Sequence, residues 1–128
     1  MGYYSDVAIA IRKRDAKRLL DEAAKLPDDN YLRRLVEQHK ETIDDFDPNP
    51  EGVQILRWFG VKWYNELWEI KHIMDFIRSL GEGNYEFMRI GEEYDDVEHE
   101  GTIAGDYCLY LERTIYFDPS ELPLHGDY

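Results

Sequence analysis

Asn84–Asp106, NYEFMRIGEEYDDVEHEGTIAGD, holds the sharpest change of chemistry in the chain. Tyr85, Phe87, Met88 and Ile90 have the aromatic and branched character of a strand set in a core. Glu92, Glu93, Asp95, Asp96, Glu98 and Glu100 follow, and no lysine or arginine comes after Arg89 in this stretch. So many carboxylates together are tolerated only in water or against a cation. The stretch therefore predicts a rigid sheet that holds up an anionic edge.

Just before that stretch, Asn65–Leu80 reads as the best amphipathic helix. Asn65 is the expected N-cap, Glu66 and Glu69 suit the positive end of the helix dipole, and Leu67, Ile70, Ile73, Met74, Ile77 and Leu80 form one stripe that Gly81 ends. Val53–Tyr64 reads as extended, with a bulge or close backbone approach at Gly60. On the odd phase Val53, Ile55, Phe59, Val61 and Trp63 face the core, with Arg57 as the misfit and Trp58 on a second, covered or used, face. DPNPEG at Asp47–Gly52 is a loop.

At the start of the chain, Val7, Ile9 and Ile11 alternate with small or polar residues, as in a half-buried strand. Asp15 is the expected cap of a helix carrying Ala16, Leu19, Leu20, Ala23 and Leu26, which Pro27 stops. Asp28 or Asp29 is expected to cap a second helix whose stripe runs through Leu32, Leu35, Val36, Ile43 and Phe46, with His39 on the same face. Val97–Ile103 and Asp106–Phe117 read as antiparallel arms, and the tail from Asp118 as irregular. The expectation is one α+β domain over residues 1–128, a mainly antiparallel sheet covered by amphipathic helices in a ferredoxin-like or related arrangement.

The chain has 128 residues, 28 acidic against 15 basic, for a net charge of -13. That size buries a core without metal or disulfide staples. The charge argues against direct binding of nucleic acid, which needs clustered Lys and Arg. An aromatic content of 14% argues against disorder. One cysteine, Cys108, permits no internal disulfide and fits a reducing compartment. No leader pattern and no apolar run of about 20 residues is present, so a cytoplasmic protein off the membrane is expected. Met-Gly at the start lacks the Ser or Thr of a myristoylation signal, with Asp6 in its place.

The acid run admits three readings. Asp95, Asp96, Glu98 and Glu100 with His99 could ligate a hard cation, although the EF-hand pattern is absent and a strand sends Glu98 and His99 to opposite faces. The acids could keep an edge strand from pairing with other chains. Or they could form a docking surface for a basic site, steering association by charge. Trp58, Trp63, Tyr64 and Trp68 suit either a core or an interface.

His39 reads as a satisfied core or boundary histidine, and no two of His39, His72, His99 and His125 share a metal-ligand spacing. Cys108 reads as core filling, and no nucleophile, phosphate-loop or dinucleotide motif occurs, so no enzyme and no cofactor are expected.

MGYYSDVAIAI at the start, VKWY at Val61–Tyr64 and FMRIGEEYDDVE at Phe87–Glu98 resemble small phage-encoded proteins that begin Met-Gly-Tyr-Tyr and enter a strand directly. The resemblance covers the first strand and the Val61–Glu98 block and does not reach Asp15–Phe46. It implies a viral origin and action in an infected bacterial cytoplasm, and it brings no activity with it. The expected function is that of an acidic, non-enzymatic inhibitor of a basic host protein, a defence or nucleic-acid-handling factor, in the manner of a DNA mimic. The partner-binding residues would be Glu92, Glu93, Tyr94, Asp95, Asp96, Glu98, Glu100 and Trp58. The alternative is a structural homo-oligomer with a solubilising acidic edge.

Overall fold

The computed structural model describes residues 2–41, 49–103 and 109, with the side chains of Lys40 and Glu41 excepted. Alternating residues at the start form β1 (Ser5–Arg12), followed by α1 (Lys13–Ala24), α2 (Tyr31–Glu37) and a two-residue strand, β2 (Lys40–Glu41). β3 (Val53–Val61), α3 (Trp68–Ser79), β4 (Asn84–Ile90) and β5 (Val97–Ile103) complete the described chain. The strand order is β2-β3-β1-β4-β5, with every neighbouring pair antiparallel. An α+β arrangement results. Its first four strand positions follow the ferredoxin-like βαββαβ path, and β5 is added beside β4.

All three helices cover one face of the sheet. Val7, Ile9 and Ile11 of β1, Leu56 and Trp58 of β3 and Phe87 of β4 meet Leu19 of α1, Val36 of α2 and the α3 stripe in one core. Ile70, Ile73, Met74 and Ile77 of that stripe are buried, as the helical spacing predicts, and each contributes roughly 1.5–3 kcal/mol of burial. On the opposite face Ala8, Ala10, Val53, Ile55, Met88, Ile103 and Leu109 form a second, smaller cluster.

The phase expected for β3 is reversed along most of its length. Leu56 and Trp58 point to the helices, because β1 sets Ile9 opposite Leu56 and Val7 opposite Trp58. Val53, Ile55 and Arg57 fall on the other face, so Arg57 is no misfit. The register then shifts between Ser5 and Val7, placing Ser5 opposite Val61. Gly60, at φ +61°, forms the expected bulge and donates its N–H to Asp6 at 2.9 Å. One extra residue in β3 returns Val61 and Trp63 to the helix side and leaves Phe59 exposed.

Three expected helix caps are also displaced. The first N–H groups of α1 donate to Gly52 (2.8 Å from Lys13) and Pro50 (3.1 Å from Arg14) of the loop before β3. Those carbonyls take the place of a side-chain cap, and Asp15 lies buried in the first turn instead. Asn30, not Asp28 or Asp29, caps α2, accepting from Leu32 and Arg33. α3 starts after Leu67 with no side-chain cap, so Asn65 has no such role. The second helix ends at Glu37, well short of Phe46, and the chain passes into β2. Ile43, Phe46, Cys108, the expected Asp106–Phe117 strand apart from Leu109, and the tail with His125 lie outside the described residues.

Candidate functional site: the acidic β4–β5 hairpin

Antiparallel pairing of β4 with β5 sorts the acids by face. Arg89 stands opposite Glu98 and Phe87 opposite Glu100, so both glutamates lie on the helix side, while His99 stands opposite Met88 on the other side. Arg89 is buried and is the cation on which the hairpin closes. Its Nη2 donates to Asp96 at 2.6 Å and to Glu98 at 2.8 Å. Its Nη1 donates to Asp96 at 3.1 Å and to the buried Ser5 hydroxyl at 2.9 Å. A planar guanidinium suits this fork-like binding of two carboxylates. The hydrogen bonds with Asp96 and then Glu98 raise the Arg89 pKa against the effect of burial, so it stays cationic.

Asp96 has a second donor, the Tyr3 hydroxyl at 2.6 Å, and the same hydroxyl accepts from the Glu93 N–H at 3.1 Å. Hydrogen bonds from Arg89 and then Tyr3 hold the Asp96 carboxyl below its ordinary range. Glu92 accepts from the Tyr4 N–H at 3.0 Å. Gly91 donates to the Asp96 carbonyl at 2.8 Å, closing the loop between the strands. A Cβ at Gly91 would fall 2.1 Å from Asp96 Oδ2 and 2.3 Å from the Tyr3 hydroxyl, so the clasp needs glycine there.

Glu100 is held from the helix layer. Arg78 of α3 donates through Nε at 2.9 Å and Nη2 at 3.0 Å, and the Tyr85 hydroxyl donates at 2.8 Å. The Arg78 bonds, assisted by Tyr85, lower the Glu100 pKa. Burial and then the bond to Glu100 push the Tyr85 hydroxyl up.

The six hairpin acids thus divide. Asp96, Glu98 and Glu100 have arginine partners within the fold. Glu92, Glu93 and Asp95 surround Tyr94, whose exposure is 76%, and among the described residues no cation pairs with Glu93 or Asp95. Trp58 belongs to neither set: it is 1% exposed, packs against Trp63 with the rings tilted at 45° and their centroids 5.5 Å apart, and donates its indole N–H to the Leu35 carbonyl at 2.7 Å. Its expected place on a partner-binding surface is corrected to one in the core.

Sequence reading missed Glu86, which is 0% exposed on the face away from the helices. Its Oε2 lies 2.5 Å from His99 Nε2, and its Oε1 accepts from the Leu109 N–H at 3.2 Å. The signal was the period of β4, which puts Glu86 in phase with Met88 and Ile90. Among the described residues no group of His, Cys, Asp and Glu is placed to hold a metal ion, and no helix is long and apolar enough to cross a membrane. Comparison with protein-family models, with curated proteins and with solved structures finds no match.

Proposed function

We propose that this chain is a phage-encoded, non-enzymatic binding protein that docks its β4–β5 loop into a basic site of a bacterial host protein and inhibits it. The observation that carries the reading is the loop itself. Tyr94 is an exposed aromatic among Glu92, Glu93 and Asp95, on a turn already tied down by Arg89, Tyr3 and Tyr4. Preorganisation of this kind lowers the ordering cost of association, and an aromatic inside a charged rim is a common hot-spot composition. The net charge of -13 adds long-range steering toward a cationic surface. The basic groove of a defence or nucleic-acid-handling protein has the matching charge, and the host cytoplasm is where the two would meet.

The test is recovery of proteins from bacterial lysate on the tagged chain at about 50 mM and about 500 mM salt, where screening lengths differ severalfold. The parent chain should retain a basic protein at low salt only, and Glu93→Gln/Tyr94→Ala/Asp95→Asn should lose it. Equal retention by that variant, or retention independent of salt, would overturn the proposal.

A further inference from the structure

On the face of the sheet away from the helices lies a half-open cavity of about 220 Å³. It exists because the central strand places a small side chain there. Ala8 sits between Arg57 of β3 and Met88 of β4, and Ile55, Ile90 and Leu109 supply apolar walls around the hollow. Leu109 is anchored by its N–H on Glu86. An apolar protein cavity of about 150 Å³ accepts benzene, so this volume suits one ring with a small substituent.

The polar groups at the rim are unequal. Asp6 already accepts from the Gly60 N–H. Arg57 has its guanidinium 4.7 Å from the centre of the Phe59 ring, and among the described residues no carboxylate pairs with it, in a chain where acids outnumber bases 28 to 15. The bulge at Gly60 is what leaves Phe59 out of the helix-side core and beside Arg57. A guanidinium stacked on an aromatic ring keeps its in-plane N–H groups available for an oxyanion.

We propose that this cavity binds a small aromatic carboxylate, its ring on Ala8, Ile55 and Met88 and its carboxylate on Arg57. An apolar concavity with a few placed polar groups is the usual form of a small-molecule site, and of the two charged residues at this rim, Asp6 and Arg57, only Arg57 can donate to a carboxylate. The site is independent of the hairpin loop and adds a ligand-binding property to the chain.

Benzoate, benzamide and benzamidine, titrated into the intact protein with Ile and Met methyl resonances as the readout, test the proposal. Benzoate should shift Ile55, Ile90 and Met88 saturably with a dissociation constant on the order of 1 mM, benzamide should bind about tenfold more weakly, and benzamidine should not bind. Arg57→Gln should weaken benzoate about tenfold with the melting temperature unchanged. Binding of benzamide or benzamidine as tight as benzoate, unchanged binding in Arg57→Gln, or no saturable shift up to about 20 mM would overturn the assignment.

Discussion

Replacing Arg89 by methionine isolates the bond set on which the hairpin depends. Arg89→Met keeps the apolar stem in the core but deletes the donors to Asp96, Glu98 and Ser5. Hydrogen bonds to charged groups contribute about 1.5–3 kcal/mol, and breaking a fully buried ion pair costs about 3–5 kcal/mol. Here the arginine side chain is 10% exposed, while Asp96 and Glu98 are 30% and 47% exposed and can rehydrate once it is gone. The lower part of the range applies, about 2–3 kcal/mol, or a fall in melting temperature of roughly 6–15 °C for a domain of this size. Urea unfolding followed by fluorescence of the buried Trp58 and Trp63 measures it. Arg89→Met/Asp96→Asn/Glu98→Gln should recover part of the loss, because the two carboxylates no longer face each other uncompensated. A single variant within about 0.5 kcal/mol of the parent would place Arg89 among ordinary surface residues and show that the hairpin does not depend on it.

Other expectations follow from the same contacts. Ile73→Asp puts a carboxylate at a fully buried position of α3 and should unfold the domain; a soluble variant with unchanged melting would contradict the core assignment. Gly101, at φ +82°, has space for a Cβ only 2.4 Å from the Tyr85 carbonyl. Gly101→Ala should therefore destabilise by at least about 1–2 kcal/mol in urea titration, and neutrality there would contradict the β4–β5 register. Asp96 and Glu100 have lowered pKa values in the fold. Their contribution is complete above the ordinary carboxylate range and is lost as pH falls through the lowered values. The melting temperature should drop below about pH 4, and less steeply in Asp96→Asn/Glu100→Gln; parallel profiles would count against these bonds.

The parts of the fold that repeat with one period were legible. The α3 stripe and the alternation of β1 are local patterns, and both appear as expected in the core. β3 was misread because apolar residues occupy both of its faces, Val53 and Ile55 beside Ala10 and Met88 on the side away from the helices, so period two loses its meaning. The bulge at Gly60 then places Val61 and Trp63 on the same side as Leu56 and Trp58 despite the change of parity. The α1 cap was hidden because its acceptors, Gly52 and Pro50, come from a loop far along the chain.

The same distinction governs the candidate site. The acids were obvious from Asn84–Asp106, but their partners were not. Ser5 and Tyr3 are brought to the hairpin by β1 lying beside β4, and Arg78 reaches Glu100 from α3. A charge run that reads as one anionic surface is, in three dimensions, an internally paired group next to an exposed one.

Two triple variants separate the internally paired acids from the exposed ones. Glu92→Gln/Glu93→Gln/Asp95→Asn and Asp96→Asn/Glu98→Gln/Glu100→Gln remove the same formal charge, and each would be measured for melting temperature and for low-salt retention of the proposed basic partner. The first should melt like the parent and lose the partner, whereas the second should melt at a markedly lower temperature. Identical behaviour of the two, or a stability loss confined to the first, would show that the six acids do not divide into a structural and an exposed set.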